Sequence, residues 1–114
     1  MKIKNTSKGF LLAQEARLAD RLWPRVKGLL GSNALPPGHG LVLKPCNSIH
    51  TYFMRFPIDV LFVDRSNRVI RAIAELKPNR LTPLYFNACL VVELPAGLIK
   101  ASSTTEGDIL QLDE

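Results

Sequence analysis

The sequence predicts a single, mainly β domain, a compact β-barrel or sandwich-like structure with one short helix in its N-terminal half. Roughly six to eight short apolar segments are separated by turn residues, a pattern typical of small all-β folds. The 114 residues leave room for one hydrophobic core, so we assign residues 1–114 to one domain. Hydrophobic residues make up 46% of the chain and charged residues 22%, a composition that is typical of folded globular proteins and argues against disorder.

The N-terminal part of the chain contains the first predicted strands and the helix. Lys2–Lys4 is a short strand candidate, and Phe10–Ala19 places apolar residues at alternate positions, which predicts a half-buried strand. Asp20 has the side-chain oxygen of a helix N-cap, and apolar residues then follow at helical spacing. We therefore predict one amphipathic helix over about residues 21–30, which Gly31 ends.

The remaining strands are predicted from apolar runs bounded by proline, glycine and asparagine. Tyr52–Val63 is the densest of these runs, which suits a strand buried on both faces, with Pro57 as a kink between two halves. A short helical turn is a further option at Leu98–Ser102. The other predicted strands are Leu41–Leu43, Val69–Ile73, Ala88–Leu94 and Ile109–Leu112.

Positive charge is concentrated in the first half of the chain. Residues 1–57 contain nine Lys/Arg and two Asp/Glu, a balance of +7, whereas residues 58–114 contain six and eight, a balance of −2. Such a distribution favours anionic partners, and nucleic-acid binding by the basic N-terminal half is one hypothesis. Because the basic residues are scattered and no aromatic and basic strip is present, nucleic acid is not the favoured partner.

The cysteines and the start of the chain indicate the compartment. Met1–Asn5 lacks the apolar core of a secretory signal, so we expect a cytoplasmic protein, in which Cys46 and Cys89 stay as two thiols rather than one disulfide. No apolar run approaches the roughly 18 residues of a membrane-spanning helix, so no membrane association is expected. The cysteines form no CxxC pair, and no phosphate-binding glycine loop or dinucleotide fingerprint is present; we expect neither a metal nor a cofactor.

Four motifs in order resemble one known family. They are Arg25–Leu30, Met54–Phe62, Val92–Gly97 and Gly107–Asp108, and together they extend over most of the chain. With them the sequence resembles the family called domain of unknown function 192. Leu30 departs from the methionine that the family usually has there, a conservative change at an apolar position. The resemblance implies a small β-rich domain and brings no established activity, substrate or cofactor.

Two acidic residues lie in predicted core strands. Asp59 has apolar neighbours on both sides, and burying an unpaired carboxylate is costly, so it needs a partner: loop amides or an arginine that lock the fold, or a ligand. Arg55 is a poor direct partner, since four residues of regular strand span about 13 Å. Glu93 poses the same question, and the two carboxylates would form an acid/base pair only if they proved close together.

Cys46 and His50 allow a nucleophile with its base, or two metal ligands, only if the chain turns between them. On a regular strand their side chains stand about 13 Å apart, beyond the reach of a direct bond. Adding His39 gives no recognised zinc spacing, so a packed thiol and a hydrogen-bonding histidine are the favoured interpretation. The resemblance assigns the segment 46–50 to a subgroup of the family only.

The favoured hypothesis is a non-enzymatic binding or accessory domain. It has a polar cleft near residues 46–59 for a small ligand or a protein partner, with Arg55, Asp59 and His50 as contacts. The alternative from another class is a small hydrolase or lyase that uses Asp59 with Glu93 or His50 as acid and base. We expect a monomer or a weak homodimer.

Overall fold

The computed structural model describes residues 1–19, 35–52 and 54–113, and in this part of the chain eight strands form two sheets beside one short helix, α1 (Leu98–Ser102). The mainly β prediction is confirmed, and so is the helical turn at Leu98–Ser102. The helix predicted at residues 21–30 lies outside the described residues. The strands are β1 (Lys2–Asn5), β2 (Phe10–Ala13), β3 (Glu15–Ala19), β4 (His39–Leu43), β5 (Ile58–Val63), β6 (Val69–Leu76), β7 (Leu90–Pro95) and β8 (Leu110–Asp113).

The two sheets have different sizes and strand orders. The three-stranded sheet has the order β2-β1-β8 and is antiparallel throughout. The five-stranded sheet has the order β3-β4-β7-β5-β6, in which β3 and β4 are parallel and the other pairs are antiparallel. The described strands therefore form a sandwich-like pair of sheets and no closed barrel. No helix in this part of the chain is long and apolar enough to cross a bilayer.

Buried side chains form two clusters on opposite faces of the five-stranded sheet. The first cluster lies between the two sheets and joins Ile3 and Leu110 of the small sheet to Leu61 and Val92 of the large one. The second cluster lies on the other face and includes Val60 and Phe62 of β5, together with side chains from the loops around residues 49–56 and 85–88. Since β5 is buried on both faces, all six of its residues are buried, as a central strand requires.

The predicted strand Phe10–Ala19 is wrong in one respect, because it is two strands that belong to different sheets. The break is at Gln14, where the amides of Gln14 and Glu15 both donate to the carbonyl of Gly38 at 2.9 Å. The chain thereby passes from the small sheet to the large one without a loop. Apolar alternation continues across the break, with Leu12 and Ala16 buried, and so gives no sign of the change of sheet.

The first half of the predicted strand Tyr52–Val63 is also wrong, since β5 begins only at Ile58 and the described residues before it are irregular. A turn replaces the strand: the amide of Met54 donates to the carbonyl of Thr51 at 3.2 Å. Met54 and Phe56 still bury their side chains, in the second cluster. Their apolar character therefore indicates that they are buried beneath a turn and does not indicate that they belong to a strand.

Candidate functional site

Asp59 lies on β5 and is completely buried. Its Oδ1 accepts a hydrogen bond from the amide of Glu75 at 2.8 Å, and its Oδ2 accepts one from the amide of Ile99 at 2.6 Å. The compensation that a buried carboxylate needs therefore comes from two backbone amides. These bonds bring β6 and α1 to one side chain of β5, so Asp59 is built into the fold.

The hydrogen bonds of regular strands and helices leave both of these amides without a backbone acceptor. Along β6 the register advances three residues, from Leu76 to Ile73, while β5 advances two, so Glu75 sits in a β-bulge with φ of 52°. α1 begins after Gly97, whose φ is 96° and which has no side chain to cap the helix. Asp59, which lies on β5, caps α1. It accepts from the amide of the second helical residue, as an N-cap side chain does.

Asp59 and Glu93 are not brought together, because they point to opposite faces of the large sheet. Glu93 pairs with Val60 in the register of β5 and β7, and Val60 belongs to the second cluster. Asp59 pairs with Leu94, which belongs to the first cluster. Since directly paired residues share a face and successive residues alternate, the sheet itself separates the two carboxylates.

Two connecting segments, residues 46–51 and 77–85, are joined by hydrogen bonds along their length. Thr51 is the main link: its Oγ1 donates to the carbonyl of Lys77 at 2.7 Å and accepts from the amide of Arg80 at 2.9 Å. Thr82 has the same function further along, where its Oγ1 accepts from the amide of Ile49 at 3.0 Å. Both threonines are buried, so the loop pair is held in place by satisfied internal polar groups.

The loop pair exposes large apolar side chains. Tyr85 packs its ring against that of buried Phe62, with centroids 4.5 Å apart and planes inclined by 50°, and its two neighbours, Leu84 and Phe86, are exposed. Four large apolar residues within or directly beside the two segments are exposed, and we call these four, together with His50 and Arg55, the loop face. The exposed fractions are 42% for Tyr52, 66% for Leu81, 57% for Leu84 and 83% for Phe86.

Two rings of the loop face, those of His50 and Tyr52, stack on each other. His50 forms an isolated antiparallel bridge with Leu81, and its ring stacks on Tyr52 with centroids 5.1 Å apart and planes inclined by 24°. His50 is half-buried, whereas Arg55 is exposed. The structure thus places His50 and Arg55 near the surface, and it does not bring Asp59 out to join them.

Comparisons with known proteins decide the family. The sequence profile of domain of unknown function 192, described as "Uncharacterized ACR", matches residues 3–112. The chain belongs to this family. This domain-192 chain is 32% identical over 114 residues to a UPF0127 protein of Thermococcus kodakarensis, across 95% of the chain and 71% of that protein. It is 34% identical over 113 residues to a UPF0127 protein of Pyrococcus furiosus, across 94% of each.

Two solved structures share the fold of this domain-192 chain. A protein of unknown function from Novosphingobium aromaticivorans matches with a TM-score of 0.80 and 21% identity, over 97% of this chain and 82% of that one. A protein from Sinorhizobium meliloti, named as a candidate transcription regulator, also has a TM-score of 0.80 and 21% identity, over 96% and 89%. At this identity the likeness shows the fold alone.

Cys46 and Cys89 lie on neighbouring segments, and His39 lies apart from both. Cys46 donates its thiol to the carbonyl of Ser48 at 3.1 Å, and its amide donates to the carbonyl of Cys89 at 3.1 Å. His39 lies at the other end of β4, where its Nε2 is 3.6 Å from Oε2 of Glu15. Among the described residues no group of three His, Cys, Asp or Glu could hold a metal ion, and no disulfide is present.

Two pockets lined by described residues lie away from the loop face. One of about 420 Å³ is bounded by Leu12 of β2, Gly38, Pro95 and Leu98 of α1, and a second surrounds Met1 and Asp113. The first pocket adjoins the helix that Asp59 caps, whereas the carboxylate itself is fully buried. Neither pocket is formed by residues 46–59.

Leu81, Leu84 and Phe86 were not among the site residues predicted from the sequence. A usable signal was present: large apolar residues recur within the segment Pro78–Asn87, whose proline and asparagine content is that of a loop. Apolar residues in such a loop must either reach the core, as Tyr85 does, or remain exposed. Sequence alone does not separate these two outcomes residue by residue.

Proposed function

We propose that this chain is a non-enzymatic binding domain that recognises a protein partner through the loop face. The observation that carries the proposal is the exposure of Tyr52, Leu81, Leu84 and Phe86 on a loop pair fixed by buried threonine bonds. Monomeric proteins rarely expose contiguous apolar patches without a use for them, and aromatic residues with arginine are enriched at protein interfaces. Because the loops are already fixed, little conformational entropy is lost on binding.

The same geometry weakens the enzymatic alternative. Asp59 has both oxygens occupied by backbone amides, and Glu93 lies on the opposite face of the sheet. A general acid or base must reach the substrate proton, and Asp59 has no exposed surface with which to do so. We therefore assign Asp59 a structural role and retain His50 and Arg55 as the contacts of the binding face.

We place this binding domain in the cytoplasm and expect it to act as a monomer. The thiols of Cys46 and Cys89 support a reducing compartment. Self-association through the loop face is disfavoured, because a symmetric dimer would bring the positive charge of one copy against that of the other.

Affinity capture with paired variants tests the proposal. The whole chain serves as bait in extracts of its own cells, once unchanged, once as Leu84→Ser with Phe86→Ser, and once as Leu18→Ser. Leu18 is 54% exposed and lies on β3, so it matches Leu84 in exposure and lies outside the loop face. We expect one protein to be captured in about equal molar amount with the wild-type chain and with L18S. The double variant should not capture it.

Loss of that protein with both variants, or with neither, would contradict the proposal. Urea unfolding of all three chains serves as the folding control. Since the three leucine and phenylalanine side chains are exposed, their unfolding free energies should stay within about 0.5 kcal/mol of the wild type.

A further inference from the structure

The occupant of the loop face must itself be apolar in part. Leu81, Leu84 and Phe86 are each more than half exposed, and Tyr52 nearly so. Their burial is favourable only against other apolar groups, since a wholly polar partner would lose hydration without replacing it. The partner segment therefore carries large apolar side chains.

The charge around the loop face has one sign. Residues 44–57 and 77–88 contain Lys44, Arg55, Lys77 and Arg80 and no aspartate or glutamate, and all four cations are exposed. The ion pairs found between described residues, such as Lys8 with Asp108 and Arg71 with Glu106, involve none of these four. The loop face therefore presents a positive field that acidic groups of a partner can neutralise.

From these two properties we infer that the partner docks through an acidic, amphipathic segment, with large apolar side chains against the loop face and Asp or Glu against its cations. This inference rests on the proposed function and adds the chemistry of the partner. A second copy of the chain fits poorly, because it would bring the same four cations to the contact.

The directional groups of the loop face favour a protein segment over a bilayer or a nucleic acid. The exposed ring of Tyr52, which stacks on His50, carries a hydroxyl that requires oriented hydrogen bonds, which a polypeptide provides and an acyl chain does not. Stacking of bases requires flat aromatic rings, and half of the four exposed apolar side chains, Leu81 and Leu84, are aliphatic and offer no such surface.

Nuclear magnetic resonance titration of the isotope-labelled whole chain tests the inference with a defined probe. The probe is a synthetic peptide of repeated Leu-Glu-Phe-Glu. One comparison peptide replaces Glu by Lys, and another replaces Leu and Phe by Ser. We expect only the first peptide to shift the amide resonances of Leu81, Leu84 and Phe86, and raising the salt from about 50 mM to about 500 mM should weaken its binding several-fold.

Charge reversal identifies the cations that contribute. Arg55→Glu with Arg80→Glu should weaken binding of the acidic peptide by about tenfold, whereas Arg65→Glu with Arg68→Glu should change it less than twofold. The control pair makes the same charge change on exposed residues of the β5–β6 turn. An equal effect of the two double variants would overturn the inference.

Other outcomes separate this inference from the proposed function. Equal binding of the lysine peptide, or binding of phosphatidylglycerol vesicles or a single-stranded oligonucleotide in place of the acidic peptide, would show that the partner chemistry is wrong. If the capture experiment still yields a protein that depends on Leu84 and Phe86, the binding function stands and only the acidic segment is refuted. If capture shows no such protein, the binding function fails first.

Discussion

At the scale of single residues, Asp59 shows how a buried carboxylate can stabilise a small β domain. It replaces its water shell by the amides of Glu75 and Ile99, which a bulge and a helix start would otherwise leave without an acceptor. Hydrogen bonds to a charged acceptor contribute about 1.5–3 kcal/mol each. The side chain therefore connects three elements, and its apolar surroundings strengthen the bonds rather than marking a reactive site.

We predict that Asp59→Asn destabilises the fold by about 2–4 kcal/mol and Asp59→Ala by about 3–5 kcal/mol, because the backbone amides lose acceptors inside the core. Asparagine keeps one acceptor oxygen but turns its NH₂ group toward the other amide. Urea unfolding gives the free energies. Asp113→Asn is the control, since Asp113 is exposed on β8 and should change the free energy by less than about 0.5 kcal/mol. An Asp59→Ala chain as stable as the wild type would show that the two amide bonds carry no net stabilisation.

At the scale of elements, apolar runs are easier to locate from this sequence than the strands and turns that they form. The run that became β5 was recognised because Ile58–Val63 is apolar almost throughout, as a strand buried on both faces must be. Met54 and Phe56 were assigned to the same strand, since their hydrophobicity reports burial and carries no information about the turn at Thr51. The split at Gln14 likewise depends on a carbonyl from Gly38, which is distant in sequence.

The candidate site was predictable only in part, for the same reason. That Asp59 needs compensation follows from its neighbours, but its donors lie 16 and 40 residues away along the chain. The stacking of His50 on Tyr52 was not predicted, and its bridge to Leu81 joins segments that no local pattern relates. Long-range pairing decides which residues meet, and a single sequence does not encode it in a local period.

The loop pair has no regular secondary structure and is linked mainly by Thr51. Thr51→Val keeps the size of the side chain but removes its bonds to Lys77 and Arg80, so it should destabilise the chain by about 1–3 kcal/mol. Hydrogen exchange of the Arg80 amide should also become faster, because that amide loses its acceptor.

Thr6→Val is the matched control for the loop-pair variant. Thr6 also donates its hydroxyl to a backbone carbonyl, that of Ile109 at 3.0 Å, but it is exposed, so water can replace the lost bond. We expect Thr6→Val to change stability by less than about 0.5 kcal/mol. Unchanged exchange at Arg80 in the Thr51→Val chain would mean that the neighbouring backbone bonds alone hold the loop pair.

At the scale of the whole molecule, the two ends of the chain are joined in the small sheet and in a polar cluster beside it. β1 lies between β2 and β8, so the first and last strands pair directly. Asn5 donates to Thr104 and to Asp108, both at 2.9 Å, and the ammonium group of Lys8 lies 3.0 Å from both oxygens of Asp108. Asp108 is buried, so this cluster connects the N-terminal hairpin to the loop before β8.

Because of the environment of Asp108, the free energy of unfolding depends on pH in the acid range. Burial by itself raises the pKa of this carboxyl, but the hydrogen bonds from Asn5 and the Thr105 amide, together with Lys8, outweigh it and hold the pKa below its ordinary value. The folded state therefore binds the proton less readily than the unfolded chain. The resulting stabilisation is complete above the unfolded pKa of about 3.9 and is lost as the pH falls through the lower folded pKa.

We predict that Asp108→Asn removes this part of the acid dependence, because asparagine does not titrate. Urea unfolding between about pH 2 and pH 6 should show a wild-type free energy that falls below about pH 4, and a smaller slope for the variant. Lys8→Met provides a second route if the asparagine variant is too unstable to measure: by removing one cause of the lowered pKa, it should also reduce the slope. A wild-type slope retained in both Asp108→Asn and Lys8→Met would locate the acid sensitivity in other carboxyls and leave the cluster a purely geometric role.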